Sequence, residues 1–232
     1  MNLYEIKKKL DEKEKAVFNL NEIARIIGKP NKISSVYINR MFKKNLLFKI
    51  EKNKISTTDD PFIIASQLVF PSYIGLTTSL YLQNFLQQVI NKLYILTPKQ
   101  KKKKTILETE MIFVKIKPKL MFGYKKIKKE KSFILISDIE KTIIDCILYE
   151  RYCKISNILS ILKKADIKKL EHYLSLANKE VLNRKIGYLL DCLSIKHNIK
   201  KTNKTIYKLN PKIKENGKFN NKWLLYINED LR

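Results

Sequence analysis

Leu3, Ile6 and Leu10 recur at helical spacing in a segment otherwise filled mainly by lysine and glutamate, which predicts an amphipathic first helix. "NLNEIARIIG" predicts a second helix, with Asn19 and Glu22 spaced for a capping box and Gly28 and Pro30 closing it. "ISSVYINRMFKK" predicts a third, whose Ser34, Tyr37 and Ile38 face the core when the frame is anchored at Met41. "LLFKI-EKN-KIST" then reads as a short hairpin turning at Lys52-Asn53. Three helices followed by a hairpin is the order of a winged helix-turn-helix.

The polar cluster "STTDDP", residues 56–61, breaks this pattern and marks a boundary. The expected organisation is a winged helix over 1–58 and a second domain over 61–232. Residues 61–95 hold one charge, Lys92, and read as a buried or interfacial block. Within it, "QLVFPSYIGLTTSLYLQNF" suggests a helix whose small residues, Thr77 to Ser79, allow close packing. "NKLYILTPK", "EMIFVKIKP" and "KSFILIS" alternate like strands. "SDIEKTIIDCILYE" follows as a helix, with Ser137 placed to cap it and Glu140 third in its first turn. Amphipathic stretches at 155–164, 167–177 and 179–195 come next. The chain closes on two strands, "TIYKL" and "KWLLYIN", around an "ENGKFNN" turn. The expected fold class is α+β: an N-terminal winged helix-turn-helix, then a small mixed β-sheet packed with several helices.

Composition changes this picture in one respect. A hydrophobic content of 44% is globular, but 48 basic against 22 acidic residues give a net charge of +26, a field that attracts polyanions. Part of this is a general richness in lysine. Residues 1–60 contribute +6 and residues 96–136 contribute +10. No apolar run approaches the length needed to span a bilayer, and the first residues are charged, so a soluble cytoplasmic protein without a membrane partner is expected. Cys146, Cys153 and Cys192 have no framework spacing and read as core thiols, the first two on one helical face. His172 and His197 lie near no cysteine pair, so neither a metal nor another cofactor is expected.

In a winged helix the third helix enters the major groove and the hairpin lies along the backbone or a minor groove. The residues left for the DNA side are Lys29, Asn31, Lys32, Ser35, Asn39, Arg40 and Lys43, with Tyr37 at the edge. Asn pairs with adenine edges, and Arg40 reaches a guanine edge or a phosphate. The lysines suit phosphate, because a flexible ammonium carries little sequence information. Lys52, Asn53 and Lys54 are the wing's expected contacts. Between Glu22 and Glu51 stand seven basic residues and no acid. That segment departs from the chain's average of about one acid to two bases.

The densest lysine run lies elsewhere. Lys101, Lys102, Lys103 and Lys104, with Lys125 and Lys126, form a second basic stretch in the expected sheet domain. One reading is solvated strand ends and lysines that blunt a sheet edge. Another is a second polyanion surface that extends the DNA contact or binds RNA, with Tyr94, Phe122 and Tyr124 available to stack. A stand-alone nucleic-acid-binding or interaction protein, using the basic surface at 99–131, is therefore the alternative function.

Catalytic motifs are absent from the sequence: there is no phosphate loop, dinucleotide turn or Ser-His or Cys-His nucleophile spacing. Asp138 and Asp145 lie near one helical face and could hold a divalent ion. A charged helix start with an Asp–Lys surface pair is the preferred account of them. The chain is not expected to be an enzyme.

The stretch "DPFIIASQLVFPSYIGLTTSLYLQNFLQQVINKLYILTPK", then "KLMFGYKK", "ISDIEKTIIDCI" and "GKFNNKWLLYIN", resembles the AbiEi-type antitoxin family of transcriptional regulators, in the same order and over almost the whole chain. "PSYIGLTTSL" is similar to the family's "PSYISL-SAL" signature, and Glu140 to Asp145 to its "EK-aliphatic-aliphatic-D" helix. Lys52-Asn53-Lys54-Ile55 stands where the family's wing ends in Arg-Gly-x-Tyr. The resemblance implies a winged helix before a C-terminal antitoxin domain. It also implies an autorepressor that binds inverted repeats in its own promoter, on double-stranded DNA. Such a protein counters a co-encoded nucleotidyltransferase toxin without forming a stable complex with it.

Overall fold

The computed structural model describes residues 2–87 and 90–231. Gln88 and Val89, within the block of residues 61–95, lie outside the described residues. The chain is an α+β protein. It divides into two compact units: Met1–Ile74, Ile90–Ile116 and Lys125–Ile136 form the first, and Gly75–Val89, Lys117–Tyr124 and Ser137–Arg232 the second. This division differs from the boundary expected near 58–61. Gln67 shows why: its side-chain carbonyl accepts from the Ala16 and Val17 N–H groups at 2.8 and 3.3 Å. Its amide donates to Ser132 Oγ and the Phe133 carbonyl, both at 2.9 Å. The first residues are thereby bonded to the later sheet.

In the first unit, α1 (Leu3–Asp11) begins at Asn2, which forms a capping box with Glu5. After β1 (Val17–Phe18) comes α2 (Leu20–Ile27). Asn19 and Glu22 form the expected capping box, each side chain taking the other's backbone N–H. Gly28 closes α2 at φ 71°, a left-handed conformation that glycine adopts without the Cβ penalty. Then α3 (Asn31–Lys43), β2 (Phe48–Glu51) and β3 (Lys54–Ser56) follow, and the three strands pair in the order β1-β3-β2. Ile6, Leu10, Ile23, Ile38 and Met41 are buried together under this sheet's Phe18 and Ile55. Both neighbours of β3 are antiparallel to it.

The rest of this unit is α4 (Pro61–Gln67), capped by Asp60, and a mixed sheet, of which the end residues Tyr124 and Ser137 fall in the second unit. The sheet contains β4 (Tyr73–Ile74), β5 (Lys92–Thr97), β6 (Lys104–Ile106), β7 (Thr109–Lys115), β8 (Tyr124–Lys129) and β9 (Ser132–Ser137), in the order β6-β7-β5-β4-β9-β8. The β5–β7 and β4–β9 pairs are parallel, and the β4–β5 and β6–β7 pairs antiparallel. The helix expected across 67–85 is thus a correction: α4 ends at Gln67, β4 intervenes, and a short α5 (Leu76–Leu82) belongs to the second unit. Pro71, which has no N–H to give a helix, stands in the break.

The second unit contains α5, α6 (Ile139–Leu148), α7 (Ser156–Leu162), α8 (Ile167–Ala177) and α9 (Glu180–Cys192). A small sheet of β10 (Tyr207–Lys208), β12 (Leu225–Ile227) and β11 (Lys218–Asn220), in that order, completes it. Thr78 and Ser79 are fully buried, as their size suggested, and the Ser79 hydroxyl donates to the Ser137 carbonyl at 3.2 Å. The cap of α6 needs correcting: Asp138, not Ser137, is the N-cap, and its carboxylate accepts the Lys141 N–H at 2.9 Å. Glu140 is accordingly second in the helix. Ser137 is left in β9, its hydroxyl bonded to Ser79. The "ENGKFNN" segment is also more than a turn, because Phe219 in β11 pairs with Tyr226. Gly187 of α9 lies under Trp223, and a Cβ there would stand 2.2 Å from the indole ring.

Candidate nucleic-acid interface

The outer face of α3 carries the expected residues. Lys29, Asn31, Lys32, Asn39, Arg40 and Lys43 are exposed, Ser35 and Tyr37 are half-buried, and Ser34 and Ile38 turn inward with Met41. The basic residues of this face, Lys29, Lys32, Arg40 and Lys43, take part in no ion pair among the described residues. Two polar groups are already engaged: Asn31 Nδ2 donates to Asn21 Oδ1 at 2.8 Å, and Ser35 Oγ donates to the Asn31 carbonyl at 2.8 Å. Asn39 and Arg40, by contrast, are exposed and make no side-chain hydrogen bond or ion pair among the described residues.

Two residues on the same face escaped the sequence reading. Ile33 and Val36 are 46% and 49% exposed, although both are aliphatic. The signal was present: they fall off the Ser34–Ile38–Met41 register that fills the core. Both therefore present their methyl groups on the same outer face as the expected polar residues.

The β2–β3 hairpin places the three residues expected as wing contacts differently. Lys52 is exposed at the turn. Asn53 adopts φ 59°, a conformation that Asn tolerates better than most residues with a side chain. This is how the turn forms with Asn where the resembled family has Gly. Its Oδ1 accepts the Leu20 N–H at 3.2 Å, tying the turn to α2. Lys54 needs correcting as a phosphate contact. Its ammonium donates to the Leu68 carbonyl and pairs with Glu51 at 3.5 Å, and it is only partly exposed.

The second basic stretch is also partly neutralised. Lys101 donates to both Glu51 oxygens at 2.9 Å, and Lys104 lies 3.6 Å from the same carboxylate. Lys103 pairs with Glu110 at 3.0 Å, and Lys126 with Glu14 at 3.4 Å. Burial opposes ionisation of Glu51, but the Lys101 bonds and the charges of Lys101, Lys54 and Lys104 outweigh it and hold its carboxyl below the ordinary value of 4.5. Lys102 and Lys125 remain exposed without an ion pair among the described residues. Of the aromatic residues considered for stacking, Phe122 packs edge-on against Tyr173, with ring centroids 5.1 Å apart.

The carboxylates of α6 are committed inside the second unit. Asp138 accepts from the Tyr173 hydroxyl at 2.9 Å and pairs with Lys169 at 2.9 Å. Burial, then this bond, pushes the Tyr173 hydroxyl up to about 12. Lys141 and Asp145 are a buried pair rather than the surface pair anticipated. No group of three or more metal-ligating side chains is assembled among the described residues. Cys146 and Cys153 are buried and Cys192 is exposed, all three as free thiols. No helix among the described residues is long and apolar enough to cross a membrane.

No protein-family model matches the chain, and no curated protein matches it. Among solved structures it is similar to the crystal structure of the RV2827C protein from Mycobacterium tuberculosis, with a TM-score of 0.59 and 10% identity. That likeness covers 95% of this chain and 89% of the other. At this identity it bears on the fold alone.

Proposed function

We propose that the chain is a sequence-specific DNA-binding transcriptional regulator of the cytoplasm, without catalytic activity of its own. The observation that carries this reading is the outer face of α3, where Lys29, Lys32, Arg40 and Lys43 stand exposed and without acidic partners among the described residues. In a chain where many lysines find a carboxylate, a helix face that keeps its cations free is suited to phosphate. Asn39, Arg40, Ile33 and Val36 add the hydrogen-bonding and methyl contacts that base edges require.

The resemblance to AbiEi-type antitoxins extends the proposal. The chain represses its own promoter through inverted repeats and counters a co-encoded nucleotidyltransferase toxin without a stable complex. The alternative, RNA or polyanion binding at 99–131, has less in its favour, because Lys101, Lys103, Lys104 and Lys126 are in ion pairs. Footprinting on the DNA upstream of the coding sequence tests the main reading. Protection of a palindromic site that fades with added salt supports it, and uniform cleavage at all salt concentrations overturns it.

A further inference from the structure

Glu51 is the only acidic residue of the β2–β3 hairpin, and it faces three ammonium groups. Lys54 comes from the hairpin itself. Lys101 and Lys104 come from the segment between β5 and β7, fifty residues along the chain. Lys101 makes two 2.9 Å bonds to it, with its ammonium also 5.3 Å from the centre of the Phe113 ring on β7. The hairpin and the segment are thus bonded to one another within the first unit. Neighbouring lysines are carried along: Lys99 is close enough to lower the Lys54 pKa, after burial and alongside Lys101. Lys99 and Lys102 are exposed on the segment, and Lys49 and Lys52 on the hairpin. None of these four makes an ion pair among the described residues.

We infer that residues 98–104 act as a second strap beside the wing, held there by Glu51, and that Lys99 and Lys102 contact the duplex DNA phosphates flanking those bound by Lys49 and Lys52. The inference rests on the DNA-binding reading and deepens it. One acid gathers three lysines, and the four exposed lysines stand on the two segments that it joins. A sequence-blind ridge of this kind lengthens the contacted backbone without adding base contacts. The densest lysine run of the chain is then part of the same surface as α3's wing, not a separate one.

The test compares the wild type, a Lys99→Ala/Lys102→Ala double variant and a Lys8→Ala/Lys9→Ala control by salt titration on a duplex of the upstream DNA. Lys8 and Lys9 are likewise exposed, on α1. Two lost phosphate contacts lower the slope of log affinity against log salt by about 1.8. The affinity drop between 50 and 200 mM salt then shrinks by about tenfold, with discrimination against a scrambled duplex unchanged. Overturning results are an unchanged slope in the strap variant, or an equal loss in the α1 control, which indicates a general field. Loss of single-stranded RNA binding with duplex binding intact also overturns the inference, by assigning the lysines to RNA. If the wild type itself shows no salt-dependent duplex binding, the DNA reading fails and takes the strap with it.

Discussion

Lys141 and Asp145 face each other across one turn of α6, and neither side chain is exposed to solvent at all. A pair of full charges in such a place is costly to desolvate and is stable only while both partners are present. The Phe122 ring lies 5.1 Å from the ammonium and covers it. Asp145→Ala removes the carboxylate beside a fully buried ammonium and is expected to lower stability by about 3–5 kcal/mol. Replacing both residues, as in Lys141→Met/Asp145→Leu, is expected to recover most of the loss. Urea unfolding at pH 7 checks both.

Gly187 gives a second expectation. A methyl group there lands 2.2 Å from the Trp223 ring, and that ring is held in turn by an Nε1–H bond to Asp191 at 2.6 Å. The indole cannot retreat without losing its bond. Gly187→Ala is expected to destabilise the chain by about 1–3 kcal/mol despite the better helix propensity of alanine. A fall in thermal midpoint is the readout, and an unchanged midpoint counts against this packing.

The pH dependence of Glu51 has a definite sign. Burial raises its pKa, but the Lys101 bonds and the surrounding lysine charges outweigh that and leave it below 4.5 in the folded chain. Its stabilisation is therefore complete above pH 4.5 and is lost as pH falls through the lowered value. The difference in urea midpoint between wild type and Glu51→Gln should hold steady from pH 7 to about 5 and close below that. A difference that widens in acid would contradict the assignment.

On the DNA-binding function proposed above, mutations on α3 should separate base reading from phosphate binding. Arg40→Ala and Asn39→Ala are each expected to cost about 1–3 kcal/mol on the operator while barely affecting a scrambled duplex. Lys43→Ala should weaken both duplexes alike and lower the salt slope by about 0.9. Val36→Ser removes methyl groups from an exposed site, so folding stability should hold while operator binding weakens. Equal effects of all four variants on both duplexes would argue against sequence reading by this helix.

What the sequence made legible was mostly local. The capping box of Asn19 and Glu22, the left-handed Gly28 and the turn at Lys52-Asn53 each depend on residues within a few positions of one another. Long-range pairing was hidden. Glu51 and Lys101 are fifty residues apart, and nothing near either one specifies the other. Lys141 and Asp145 were visible as an i, i+4 pair, but their burial depends on residues such as Phe122 that come from outside the helix. β8 was missed because four of its six residues are lysine, a poor strand former that protects an edge. At α6 two adjacent residues, Ser137 and Asp138, each satisfied the capping rule, and only the strand that claims Ser137 decides between them.

Trp223 is the chain's single tryptophan, and it is buried in the second unit. Its emission therefore reports that unit alone, while backbone circular dichroism sums over both. Superimposed melting curves from the two signals would mark one cooperative transition. Separated curves would date the loss of each unit, so an unmodified chain carries its own unit-specific optical label.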